Sequence, residues 1–252
     1  MRKVLGFALL FFAGVFPVLA DENLKPPAQV LSTEHFEFAP GGTIRVDGSY
    51  GDIYVEGWDQ PQVEVNILKL MPFQYKPRHP KESAQHLDAL HVIAQKRSAT
   101  ELVISTDLPH RTGPLLLVSP PLRPTTKGDV RLEYGIRVPN NSRLEVHHGV
   151  GTVSISGVTG EIQAYCHRGD IVLWLQESGA FLIDAKSKFG KVSSDFTGHS
   201  GTQFLLGQKF TSVNASASQK LKLRVGIGGI TIKPILPESE ALAQSRNERS
   251  DR

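Results

Sequence analysis

From residue 142 onward, apolar and polar residues alternate in short runs that glycines interrupt at a fixed interval. Three consecutive blocks, 142–160, 161–179 and 180–198, are each 19 residues long and close on Gly160, Gly179 and Gly198. Inside each block a second glycine precedes a polar and then a β-branched residue: Gly151-Thr152-Val153, Gly169-Asp170-Ile171 and Gly190-Lys191-Val192. Alternation with period 2 marks a half-buried strand, so each block reads strand, glycine turn, strand, turn. The inward positions are Leu144 and Val146 with Val153 and Ile155, then Ile162 and Ala164 with Ile171, Leu173 and Leu175. In the third block they are Phe181, Ile183 and Ala185 with Val192 and Phe196. A slip of one residue would turn every one of them to solvent.

The same unit occurs far upstream. In residues 43–58, Ile44 and Val46 alternate with polar neighbours, as do Ile53 and Val55. The turn Gly48-Ser49-Tyr50-Gly51 matches those of the blocks, and Gly51-Asp52-Ile53 nearly repeats Gly169-Asp170-Ile171. Further strands are predicted over 63–68, 91–95, 101–106 and 129–138. Past Gly198 the pattern weakens, with strands predicted over 204–206, 213–217 and 221–225. Gly228-Gly229-Ile230-Thr231-Ile232 supplies a last turn and strand. An irregular, proline-rich insertion over 71–127 holds the one predicted helix, residues 82–90.

A fixed period near 20 residues marks a repeat architecture, in which stacking buries what one unit cannot bury alone. The expected fold is all-β: a parallel, β-helix-like β-solenoid of about 19-residue repeats with one short helix in the insertion. An antiparallel meander of hairpins with five-residue turns fits the same period and stays open.

The two ends read differently. Arg2 and Lys3, the apolar run over 4–18, and Ala20 before Asp21-Glu22 have the form of a secretory signal peptide over 1–20. An uncleaved anchor is the alternative, but the run falls short of the roughly 20 apolar residues of a span. The chain is therefore expected to be exported and periplasmic, cell-surface or secreted, with no transmembrane span in the mature part. A flexible leader over 21–35 carries Pro26-Pro27, the β-repeat domain spans 36–236, and a charged tail over 237–252 is expected to be disordered.

Charge narrows the partners. The chain has 28 Lys and Arg against 25 Asp and Glu, and two of the cations lie in the expected signal peptide. A nearly neutral mature chain lacks the electrostatic footprint of a nucleic-acid binder. Cys166 is the only cysteine, so an exported chain would rely on its sheets and core without an intrachain disulfide.

The pattern G-x-I-x-V-x-G over Gly51 to Gly57, the entry Y-x-I-x-V-P over Tyr134 to Pro139, and the glycine-punctuated blocks after it resemble a bacterial family of exported β-repeat domains called "putative adhesins", of unknown function. The resemblance covers roughly residues 36–235. It implies a right-handed β-helix-like stack and brings no catalytic residues, because the motifs are structural.

Candidate chemistry is sparse. His148, Cys166 and His167 fall in adjacent glycine turns, and imidazole with thiolate suits zinc or copper, but the spacing matches no ligand pattern. A polar turn edge accounts for them, and no metal or cofactor is expected. Asp170, Asp184 and Asp195 bring to mind the paired carboxylates of glycan-cleaving enzymes, which must lie within several ångströms of each other. Turn and surface aspartates account for all three. Arg168, Lys188 and Lys191 make one turn edge basic, and Trp174 alternates with inward Leu173 and Leu175. These four are the binding candidates, for an anionic glycan, an envelope component or another protein. The expected function is an exported, non-catalytic adhesin-like binding or scaffold module, with a polysaccharide-acting enzyme as the alternative.

Overall fold

The computed structural model describes residues 29–70, 91–107, 131–177, 179–203, 206–212 and 217–235. The strands begin with β1 (Gln29–Glu37), β2 (Thr43–Tyr50), β3 (Asp52–Trp58) and β4 (Gln62–Leu70). Next come β5 (His91–Ser98), β6 (Glu101–Asp107) and β7 (Arg131–Pro139). The three blocks supply β8 (Arg143–Val150) with β9 (Val153–Ser156), β10 (Ile162–Arg168) with β11 (Ile171–Leu175), and β12 (Phe181–Phe189) with β13 (Val192–Ser194). Then follow β14 (His199–Gln203), β15 (Gly207–Ser212), β16 (Gln219–Ile227) and β17 (Ile230–Pro234).

These strands form two sheets. One has eight strands in the order β1-β4-β7-β3-β9-β11-β17-β13, and the other has nine in the order β14-β15-β12-β16-β10-β8-β2-β6-β5. The two strands of a unit lie in opposite sheets, with the inner glycine turn as the corner between them. β8 and β9 therefore do not pair, and the hairpin meander is not formed.

The parallel β-solenoid is corrected as well. Both sheets are mixed: β1, β4 and β7 run antiparallel at one margin, β5 with β6 and β12 with β15 and β14 at others. The blocks also do not follow one another in space, because β16 and β17 lie between the second block and the third. The physical reason is twofold. A period fixes the size of a unit but not its order in the stack. Moreover, a bare parallel stack would leave long open edges, and antiparallel strands extend three of the four sheet margins here, while the parallel strand β13 ends the fourth. Among the described residues there is no helix, and none is long and apolar enough to cross a membrane. The helix predicted over 82–90, the signal peptide predicted over 1–20 and the tail predicted over 237–252 lie outside the described residues, as do 213–216 and 204–205. Residues 29–35, read as leader, belong to β1 and pair with β4.

The core lies between the sheets and follows the alternation. Each predicted inward residue is buried except Phe196, which is half-buried and packs edge-on against Phe181 with ring centroids 5.4 Å apart. Tyr134 of β7 is fully buried, and its hydroxyl bonds to Thr106 of β6, tying one sheet to the other. Burial pushes that phenol up to about 12.

The inner glycines form the corner column that sets the register. In spatial order they are Gly51, Gly151, Gly169, Gly228 and Gly190, with φ between 109° and 148°. A Cβ at any of the last four would overlap the carbonyl oxygen of the preceding glycine. Hydrogen bonds run from Gly151 N to Arg168 O at 3.0 Å, Gly169 N to Ile227 O at 2.9 Å, and Gly228 N to Phe189 O at 2.9 Å. The glycines are thus required twice, by left-handed backbone and by close approach. By contrast, the evenly spaced Gly160, Gly179 and Gly198 have no shared environment. Gly160 backs onto Ser142, Gly179 onto the Phe181 ring and Gly198 onto Phe210.

Candidate binding surface

The corner column positions the polar residues just inside it. Gly48, His148, Cys166, Val225 and Ser187 occupy one row across β2, β8, β10, β16 and β12. His148 is buried, with Nδ1 3.0 Å from Gly48 O and Nε2 2.8 Å from Gly51 O. Cys166 Sγ donates to Gly151 O at 3.4 Å, and Ser187 Oγ to Gly228 O at 2.7 Å. These side chains serve carbonyls that the turn leaves facing inward. Burial draws the His148 pKa down, against the neighbouring carbonyls, which favour the protonated ring. Burial pushes the Cys166 thiol up to about 11, so at neutral pH it is a thiol rather than a metal-ready thiolate. His167 is exposed, away from the buried His148 and Cys166. The three metal candidates therefore do not converge.

Two of the three carboxylate candidates, Asp170 and Asp184, are held by structural partners. Asp170 Oδ1 accepts from Gly229 N at 2.6 Å, which caps the next rung. Asp184 is bonded to Arg224 and lies 3.4 Å from Lys186 Nζ. Burial alone would raise its carboxyl, but Arg224 and Lys186 outweigh it and hold it below the usual value. Asp195 follows β13, in the other sheet from Asp184, and its backbone N donates to Ile232 O at 3.1 Å.

The binding candidates are only partly brought together. Arg168 ends β10, and Lys188 precedes the last residue of β12, so both lie at the corner margin of the nine-stranded sheet. Lys191 lies just past the corner, at the rung position that Asp170 holds in its own unit. Trp174 is on the other sheet, half-buried, with Lys233 Nζ 5.7 Å from its ring centroid. It borders a small cavity of about 120 Å³ whose wall includes Phe181 and Gln219.

Two features of the nine-stranded sheet escape a reading of the sequence. The first is charge. β10, β12, β15 and β16 are adjacent and carry seven Lys and Arg against the single acid Asp184. Lys220, Lys222 and Arg224 alternate with buried Leu221, Leu223 and Val225, so they stand on the outer face. Arg224 pairs in register with Lys186, and Lys186 with Lys209. Like charges directly opposite each other oppose folding; Asp184 offsets this for Arg224 and Lys186, and the row remains net positive. The neighbouring β2 and β8 are balanced, with Arg45 2.9 Å from Glu145. The signal was visible as alternating cations in 220–224, but only the fold sets β16 between β10 and β12.

The second feature is an exposed apolar row at the corner margin. Tyr50, Val150, Arg168, Ile227 and Phe189 share one position on adjacent strands. Val150, Ile227 and Phe189 are 40%, 45% and 46% exposed, and Leu206 beside the last rung is 71% exposed. Lys188 Nζ lies 5.8 Å from the Phe189 ring centroid.

No family model matches the chain, and no curated protein matches it. Among solved structures, it is similar to a "putative cell adhesion protein" from Clostridium sporogenes, at 11% identity and a TM-score of 0.49, over 83% of this chain and 100% of that one. It is also similar to a "putative adhesin" from Bacteroides fragilis, at 15% identity and a TM-score of 0.24, over 83% of this chain and 99% of that one. A "putative adhesin" from Parabacteroides distasonis aligns at 12% identity and a TM-score of 0.21, over 81% of this chain and 70% of that one. These descriptions are those of the family that the glycine motifs resemble, and at such identities and superpositions they say nothing of what this chain binds.

Proposed function

We propose that the protein is an exported, non-catalytic binding or scaffold module of the cell envelope, working through the outer face and corner margin of its nine-stranded sheet. The observation that carries this reading is the segregation of charge: four adjacent strands present cations with one acid among them. A rigid face of one sign concentrates opposite charge near it. The bonds that occupy Asp170 and Asp184 support a structural role for both, which removes the motive for an acid–base pair. Arg168, Lys188 and Lys191 contribute at the margin, whereas Trp174 belongs to the other sheet and is not part of this surface.

The test uses the chain as an exporting host delivers it, incubated with isolated envelope fractions and with a panel of anionic glycans. Salt-sensitive retention without release of sugar products is expected, reduced in the triple variant Arg168→Glu, Lys188→Glu, Lys191→Glu. Glycan cleavage abolished by Asp170→Ala, Asp184→Ala or Asp195→Ala would replace this reading with an enzymatic one.

A further inference from the structure

We infer that the corner margin and the basic face beside it form one surface for anionic lipid bilayers. This deepens the binding reading above and rests on it. Two independent observations meet at the margin. Val150, Ile227 and Phe189 are each 40% exposed or more and stand on equivalent rungs, so strand spacing sets successive rungs about 4.8 Å apart. Single exposed apolar residues are ordinary, but Ile227 and Phe189 side by side, with Val150 one rung beyond Arg168, form a cluster that needs an explanation. Arg168 interrupts this row, and Lys188 and Lys191 flank it.

Apolar side chains interspersed with cations suit the boundary between headgroups and acyl chains. The apolar groups enter by several ångströms while the cations stay with the phosphates. Lys220 and Lys222, farther along β16, supply the longer-range attraction to a negatively charged leaflet. The occupant follows from the pair of features. A soluble polyanion would use the cations but gain nothing from Ile227, Phe189 and Leu206. An anionic bilayer uses both.

The experiment is sedimentation of the exported chain with vesicles of phosphatidylglycerol and phosphatidylcholine, against vesicles of phosphatidylcholine alone. All arms share one N-terminus, so the apolar run over 4–18 contributes equally to each. Binding to the anionic vesicles alone is expected. It should weaken at least about tenfold in Lys188→Glu/Lys191→Glu, because each basic residue near such a surface contributes severalfold. A comparable loss is expected in Ile227→Ser/Phe189→Ser. If that pair disturbs the fold by circular dichroism, Leu206→Ser, the exposed residue beside the row, replaces it. Retention of wild-type vesicle binding in folded apolar variants would overturn the proposal, as would complete displacement by soluble polygalacturonate, which would name a polymer as the occupant. Absence of vesicle binding with envelope binding intact would overturn the lipid assignment alone. Absence of both would overturn the binding reading with it.

Discussion

Gly48 is small because His148 fills the space beside it. The two residues lie side by side in register on β2 and β8, and a Cβ at Gly48 would stand 2.7 Å from His148 Nδ1 and 2.9 Å from Ile53 Cδ1. The ring nitrogens in turn face the carbonyls of Gly48 and Gly51, and the neutral imidazole donates to one of them. A glycine and a histidine separated by 100 residues in the chain thus form one packing unit at the corner.

Gly48→Ala should therefore cost about 1–3 kcal/mol through overpacking. The cost should shrink when His148→Ala is added, because the cavity left by the ring accepts the new methyl group. A double-mutant cycle in urea measures this coupling. Strictly additive losses would show that the two sites do not share their space.

Replacing Gly151, Gly169 or Gly190 by valine should destabilise the protein strongly. Left-handed backbone alone costs about 1–3 kcal/mol for such a residue, and overlap with the preceding glycine's carbonyl adds to it. Gly160→Ala should also be costly, but through its contact with Ser142 rather than through φ. Thermal unfolding midpoints unchanged in the three inner variants would contradict the corner column.

His148 makes stability depend on pH. Its folded pKa is lowered by burial, whereas in the unfolded chain it titrates near about 6.5. Below that value the unfolded chain takes up a proton that the folded chain refuses, so stability present above about 6.5 is lost as pH falls toward the folded pKa. Denaturation followed from neutral pH downward should show this slope. In His148→Gln the slope should be shallower, even though the variant is less stable throughout. An identical slope in both proteins would remove His148 as its source.

Asp184→Asn tests the basic face in the opposite sense to the charge reversals. The pair with Arg224 is part-exposed, so its loss should cost no more than about 1 kcal/mol. The variant leaves Arg224 and Lys186 unopposed and should bind anionic vesicles more tightly than the wild type. Weaker binding by a folded variant would mean that Asp184 orients the cations rather than dilutes them.

Much of the fold was legible because strand alternation is a local property. Leu144, Val146, Ile171 and Leu173 could be assigned inward from their neighbours alone, and all four are buried. The corner glycines were legible for the same reason, since a left-handed turn declares itself within three residues. Stacking order is not local. The short strands β14 and β15 are rich in Gly, Ser, Thr and Gln, and with Phe210 as the one large buried side chain of β15 they carry too little alternation to announce themselves.

The sequence by itself determined the unit: its two strands, its turn and its buried face, because each depends on residues only a few positions apart. The tertiary structure alone decided that residues 43–58 sit against the first block and that β16 and β17 enter between the second and the third. Units with matching corners pair equally well in any order, so order depends on how the connecting segments reach and which edges must be covered. The candidate surface belongs to this second category. Arg224, Lys186 and Lys209 are far apart in sequence and become one row of cations only because three strands are neighbours in the sheet.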